Sequence, residues 1–209
     1  MTRNIAIAAA ALLVVMLGGI FAATRLFAPD DAFAHCRASA VAGGGAAIGG
    51  PFTLVSESGE TVTEKDVIDQ PSLVYFGYTF CPDVCPVDAA RNAEAISLLE
   101  DRGTTVKPVF ITVDPRRDTP EVLAEFTDYM HPRMIGLTGS EEQVKAAVKT
   151  YRAYSKSHRE AGSDDEYYLV DHSTQSYLMF PEQGFVEFFR NTETAQQIAD
   201  RVQCFIDAG

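Results

Sequence analysis

The stretch Phe80-Cys81-Pro82-Asp83-Val84-Cys85-Pro86 holds the residue types best suited to chemistry in this chain. Two thiols four residues apart can bind a soft metal ion or exchange electrons with a disulfide. A strand-like apolar run precedes them and a helix-like one follows. Proline disfavours the helical region for the residue before it and is itself preorganised for the first helical position. Cys81 and Cys85 are therefore expected in the loop that feeds a helix N-terminus. The free N–H groups and the positive end of the dipole there favour thiolates, so both pKa values are expected to fall. A structural disulfide is the plain alternative, but loop cysteines at a helix mouth are poorly placed for stapling.

The spacing separates two uses. Redox centres of the thioredoxin kind place two residues between their cysteines, whereas the three found here suit a wider bite around an ion. Two thiolates leave a metal site incomplete, so a further ligand must come from elsewhere. Zinc wants four closed ligands, while soft Cu(I) accepts fewer. The chain has four histidines. His35 lies in a linker-like segment, His131 precedes a proline at a helix end, and His158 sits in a polar loop; each is expected to be solvated. His172 follows the apolar run Tyr168-Leu169-Val170 and precedes a strand, which places it in a loop at the edge of the sheet.

The elements that must position these residues are legible from hydrophobic period and punctuation. Phe52–Val55 and Thr61–Thr63 flank a turn and predict an N-terminal hairpin. Leu73–Tyr78 and Val109–Val113 are nearly continuous in apolar residues, as in strands covered on both faces. Between them, Ala89, Ala93, Ile96 and Leu99 recur at helical spacing up to Gly103. Thr119-Pro120-Glu121 is an N-cap, a proline and a first-turn acid, opening a helix whose inward face is expected to carry Val122, Leu123, Phe126, Tyr129 and Met130. Ser140 and Gln143 form a capping-box pair before another helix. Residues 155–166 read as a polar surface excursion ending in Ser163-Asp164-Asp165-Glu166, without the ligand spacing of a calcium loop. A second hairpin at 175–189 and a last helix with Ile198, Val202, Phe205 and Ile206 on one side complete the chain. This order describes an α/β sandwich with a central mixed sheet flanked by helices, parallel first and antiparallel at the end, which is the thioredoxin-like order.

Ahead of this domain, Ile5 to Thr24 runs for twenty residues without a charge, long enough at helical rise to cross a hydrocarbon core. The expected organisation is a membrane anchor over 1–27, a flexible Ala/Gly/Ser-rich stalk over 28–50 containing Gly43-Gly44-Gly45, and a folded domain over 51–209. A cleaved signal segment ending near Ala32-Phe33-Ala34 competes with an uncleaved anchor, but its apolar core is ordinarily shorter. Either way the domain is expected on the extracytoplasmic side. Residues 28–209 hold 15 of the 17 basic residues and all 29 acidic ones, a formal charge of 15 − 29 = −14. That balance argues against nucleic acid and anionic lipid surfaces as partners.

Four motifs in order give the chain a family resemblance: Gly77-Tyr78-Thr79-Phe80-Cys81-Pro82-Asp83-Val84-Cys85-Pro86, Val113-Asp114-Pro115-Arg116-Arg117-Asp118-Thr119-Pro120, Ile135-Gly136-Leu137-Thr138-Gly139 and Tyr168-Leu169-Val170-Asp171-His172-Ser173. From Pro51 to Phe205 the sequence resembles the SCO/SenC copper-chaperone proteins. The resemblance implies a thioredoxin-like fold in which Cys81, Cys85 and His172 bind one copper ion. It also implies delivery of copper to the CuA centre of cytochrome c oxidase, or reduction of that centre's cysteines, with other copper chaperones or thiol reductases as further partners. A single-pass inner-membrane protein with its domain on the periplasmic side fits the same resemblance. Two thiolates suit Cu(I), and an added imidazole also suits Cu(II). Asp171 beside the histidine is a candidate to orient it.

The competing reading is a dedicated thiol–disulfide oxidoreductase that uses Cys81 and Cys85 by ordinary exchange. Thioredoxin-like reductases generally carry a cis-proline before the strand facing the active site, and no proline lies between Val170 and Met179. No peroxidase-type motif surrounds either cysteine. Of the other two cysteines, Cys204 is expected on the exposed side of the last helix and Cys36 in the stalk. In an oxidising compartment such thiols can pair with each other or between chains.

Overall fold

The computed structural model of the chain describes residues 2–26, 32–37, 48–159 and 167–209. It divides into two units, Met1–His35 and Cys36–Gly209. The first is built on the helix α1 (Thr2–Leu26), whose apolar side chains from Leu12 to Leu17, with Ile20 and Phe21, are exposed. Among the described residues no helix is long and apolar enough to cross a membrane, so the anchor expectation rests on the uncharged sequence run.

The second unit holds all the remaining elements. In chain order these are β1 (Thr53–Ser56), β2 (Thr61–Thr63), α2 (Glu64–Val67), β3 (Ser72–Gly77), α3 (Val84–Asp101), β4 (Lys107–Thr112), α4 (Pro120–Met130) and β5 (Ile135–Thr138). They are followed by α5 (Glu141–Thr150), β6 (Ser155–Ser157), β7 (Val170–His172), β8 (Ser176–Phe180), β9 (Gly184–Phe189) and α6 (Ala195–Ala208). Seven strands form one sheet in the order β2-β1-β5-β4-β3-β8-β9. β3 runs parallel to β4 and β4 to β5, while β1, β8 and β9 pair antiparallel with their neighbours. β6 and β7 stand apart as a two-stranded ribbon, a feature absent from the sequence-based expectation.

All six residues of β3 are buried, because successive side chains point to opposite faces and both faces are covered. Val74, Phe76 and Tyr78 share a core with Val144, Ala147 and Val148 of α5. Tyr75 packs on the other side with Phe110, Ala93 of α3 and Leu123 of α4. A Cβ on Gly77 would lie 2.8 Å from the Tyr75 ring and 3.0 Å from that of Phe110, so this strand end accepts two crossing rings only as glycine.

The local helix signals act as written in the sequence. Thr119 accepts from the Val122 N–H with Pro120 in the first turn, and Ser140 with Gln143 forms a reciprocal capping box. Three expectations change. On α4, Val122 is 39% and Tyr129 86% exposed, since the helix packs along Leu123 and Thr127 instead. His131 is buried rather than solvated; its Nδ1 accepts the Arg133 N–H at 3.2 Å and its Nε2 lies 3.6 Å from Glu100. The start of the polar excursion is strand β6, while the acidic run 163–166 lies outside the described residues, as do residue 27 and residues 28–31 and 38–47 of the stalk.

Cys36 and Cys204 form a disulfide with a Cα–Cα distance of 5.8 Å across a separation of 168 residues. Cys36 is buried, and the neighbouring Arg37 guanidinium donates to the Val186 carbonyl of β9. The second compact unit thus starts at Cys36, within the segment expected as stalk, and Cys204 is half-buried rather than exposed. Closing so long a loop restricts the unfolded chain strongly. Cys204→Ser is expected to lower the unfolding free energy by about 2–5 kcal/mol, read from denaturant melts. A reducing agent should produce the same loss in the wild type and none in the variant.

Candidate metal centre

The thiols lie where β3 hands the chain to α3. Asp118, wholly buried, holds the loop between them: its carboxylate accepts the Thr79 N–H at 3.1 Å, the Thr79 hydroxyl at 2.6 Å and the Thr112 hydroxyl at 2.5 Å. Burial pushes the Asp118 carboxyl up despite these donors. The loop residue after β3 is thereby tied to the end of β4.

α3 starts at Val84, earlier than the proline argument places it, so Cys85 sits inside the first turn rather than in the loop. The physical reason is that the first four N–H groups of a helix lack intrahelical acceptors, so Pro86 two positions further in removes nothing the helix uses. Asp83 occupies the N-cap without a side-chain bond. The Cys85 N–H instead meets Cys81 Sγ at 3.4 Å, so a sulfur supplies the helix-capping acceptor.

This placement splits the two thiols, against the expectation that both pKa values fall. Burial pushes Cys81 up, but the N–H groups of Asp83, Cys85 and Val84, together with the Cys85 side chain, outweigh it and leave the thiol below its ordinary value. Cys85 is fully buried, and that burial drives its thiol well above the usual range. Helix-terminal N–H groups point out at Cys81, whereas the Cys85 side chain turns back into the core.

His172 ends β7 and reaches the thiols from the ribbon. Its Nε2 lies 3.1 Å from Cys85 Sγ, across 87 residues of sequence. Nδ1 is 2.9 Å from the Ser173 carbonyl, which can only accept. Nδ1 therefore carries the proton, and the Nε2 lone pair faces the sulfur. The ring is gripped edge-on by Tyr75 at 6.1 Å and Tyr78 at 5.8 Å between centroids. Tyr78 also accepts the Val170 N–H at 3.3 Å. Tyr75 in turn donates to the buried Asp88 carboxylate at 2.9 Å.

Asp171 does not orient His172. Neighbouring residues in a strand point to opposite faces, and the exposed Asp171 carboxylate pairs with His158 Nε2 at 2.7 Å across the β6–β7 ribbon. His158 is thus engaged with a carboxylate. The backbone carbonyl of Ser173 takes the orienting role, and no residue-type signal in the sequence marks it. No local pattern in the sequence marks Asp118, Tyr75 or Tyr78 as supports of the site.

The ligand atoms of Cys81, Cys85 and His172 all lie within 4.8 Å of one another. Two donors on one first-row ion, with bonds of about 2.0–2.3 Å, sit roughly 3–4.5 Å apart, so the cluster fits a single ion with little rearrangement. Its two sulfurs and one imidazole form a donor set for a soft or borderline metal.

A dithiol at a helix mouth, faced by an imidazole beyond the carboxyl end of a central parallel strand, defines a thioredoxin-like domain adapted to hold a ligand at that edge. Residues 40–207 match the family model described as SCO1/SenC. SenC of Rhodobacter capsulatus is 54% identical over 207 residues, 99% of this chain and 92% of that protein. The chain belongs to the SCO1/SenC family. Among solved structures, Arabidopsis thaliana ScoI with copper bound shares 43% identity at a TM-score of 0.70, covering 77% of this chain and 99% of that one. Yeast Sco1 with copper bound shares 37% identity at a TM-score of 0.73, covering 78% and 90%. The thioredoxin-like α/β fold with a mixed, helix-flanked sheet is common to them.

With its thiol held below the ordinary value, Cys81 should be the reactive sulfur. Iodoacetamide is expected to modify Cys81 of the reduced chain at least about tenfold faster than Cys85 at neutral pH. Peptide mass spectrometry reads the rates, and equal rates would refute the assignment of thiolate character to Cys81 alone.

Proposed function

We propose that this protein is a copper chaperone in which Cys81, Cys85 and His172 hold one copper ion destined for the CuA centre of cytochrome c oxidase. The observation that carries this reading is the convergence of three donors from two separate segments, with the Nε2 lone pair already turned to Cys85 Sγ. Membership of the SCO1/SenC family, and relatives solved with copper bound, support the choice of metal. Two thiolates serve Cu(I), and the added imidazole lets the same site accept Cu(II). Cargo passes outward past Cys81, the less buried sulfur, while Cys85 and the two tyrosines form the closed back wall.

The unequal thiols also support a second reading, reduction of one dedicated partner's disulfide. The Cys81 thiolate attacks a partner sulfur and forms a mixed disulfide, and its partner thiolate departs. Cys85 then attacks Cys81 Sγ, giving its proton to the solvent or to the second departing thiolate. The Cys81–Cys85 pair ends oxidised by two electrons and the partner's cysteines end reduced. The CuA cysteines are the substrate this reading implies, and other copper chaperones or thiol reductases would reload or re-reduce the site.

For location, we propose one uncleaved N-terminal anchor over 1–27, then a stalk, then a domain that reaches back to Cys36 through its disulfide and stands on the periplasmic side of the inner membrane. The twenty-residue uncharged run supports it, because a run of that length at helical rise matches a hydrocarbon core.

The test is a copper titration of the reduced chain under anaerobic conditions. One Cu(I) should bind per chain. His172→Ala should weaken Cu(II) binding by more than the ~10–100-fold typical of outer-shell losses, while the Cys81 alkylation rate stays close to wild type. Unchanged Cu(II) affinity would remove the three-donor site. A deletion strain whose oxidase activity no copper supplement restores would shift the assignment to the reductase reading.

A further inference from the structure

The two sides of the metal centre are built independently. The thiols belong to the β3–α3 junction of the main sheet, whereas His172 belongs to the β6–β7 ribbon, which among the described residues shares no strand pairing with that sheet. Something other than the sheet ladder must hold the ribbon at the right height. The Val170 N–H to Tyr78 bond is one link. Arg117, in the loop between β4 and α4, provides another.

The Arg117 guanidinium carbon lies 3.8 Å from the centroid of the Tyr168 ring, 4.9 Å from that of Phe80 and 5.5 Å from that of Tyr78. Tyr168 lies two residues before the start of β7, and Phe80 immediately precedes Cys81. One planar cation therefore lies against both segments that carry the ligands. Asp114 fixes its orientation from below: its Oδ2 accepts from Arg117 Nε at 2.5 Å, and its Oδ1 accepts the Tyr168 hydroxyl at 2.6 Å. Both side chains of the Arg117–Asp114 pair are shielded, at 12% and 5% exposure, so solvent screens the cluster weakly. Phe80 is 54% exposed and is not held by core burial.

We propose that Arg117 is a positioning residue of the metal centre: by stacking between Tyr168 and Phe80 on an Asp114 support, it sets the distance of His172 from the two thiols. This inference rests on the three-donor reading above. A flat guanidinium can lie against rings while its Nε–H stays on a carboxylate, and a lysine ammonium cannot do both. The interaction thus depends on shape as much as on charge.

The test compares Arg117→Lys, Arg117→Ala, Phe80→Ala and His172→Ala in the full-length chain, using Cu(II) and Cu(I) alone as probes. Both Arg117 variants should weaken Cu(II) binding by about 10–100-fold and move its optical and paramagnetic spectra toward those of His172→Ala, with Cu(I) affinity changed less than about threefold. Phe80→Ala, a surface change that cannot unfold the core, should shift Cu(II) in the same direction. Combining Arg117→Lys with His172→Ala should add little further loss, because the first acts through the second. Without metal, hydrogen exchange at Val170 and His158 in Arg117→Lys should rise while amides of β3 keep their protection.

Wild-type Cu(II) affinity in Arg117→Lys, equal loss for both copper states, or fully additive losses in the double variant would overturn the proposal. If His172→Ala itself left Cu(II) binding intact, the three-donor reading would fall and this inference with it. Loss in His172→Ala without loss in the Arg117 variants would overturn this inference alone.

Discussion

The centre depends on one constraint, that β3 is covered on both faces. A strand in that position has no solvent side, so its residues are committed alternately to the α5 face and to the α3–α4 face. The tyrosines near its end, Tyr75 and Tyr78, are consequently fixed from below and direct their ring edges to His172. Rigid rings give the imidazole a slot of defined width, and the chain beyond Gly77 has only the loop to α3 in which to place its sulfurs. Position at the carboxyl edge of the sheet follows from the packing of the sheet itself.

From that loop the helix creates an asymmetry. Free N–H groups at the start of α3 converge on Cys81, which takes the place of a capping side chain, while Cys85 is drawn into the first turn and stripped of solvent. One sulfur is therefore electrostatically primed and close to the surface, and the other is protected behind it. Metal transfer and disulfide exchange both profit from such an arrangement, since each needs one accessible sulfur and one that holds on. The proposed division between these roles turns on the third donor, an imidazole that suits a metal ion and has no part in ordinary exchange.

The third donor is carried differently from the two thiols. Its ribbon lies outside the sheet and meets the thiol side through the Tyr78 hydroxyl, the Asp114–Tyr168 bond, the stacked Arg117 and the burial of Tyr168 and Val170 in the same core as the two cysteines. On the proposed copper reading, a donor carried on such contacts can leave the ion while the dithiol stays in place.

Much of this was legible in the residues. The capping signals at Thr119 and Ser140, the buried runs of β3 and β4 and the four ordered motifs are written within a few residues of each other, and local sterics and hydrogen bonding settle them. The dithiol and its place at a helix mouth are equally local, and four motifs together named the family and with it His172. Tertiary structure alone decided the rest. It placed His172 Nε2 3.1 Å from Cys85 across 87 residues, gave Nδ1 to a backbone carbonyl that no residue type announces, and turned Asp171 outward once a strand formed there. It also joined Cys36 to Cys204 and buried Cys85 while leaving Cys81 primed. Short-range patterns specify which elements form; which atoms meet, and which thiol loses its water, is decided only when distant elements pack together.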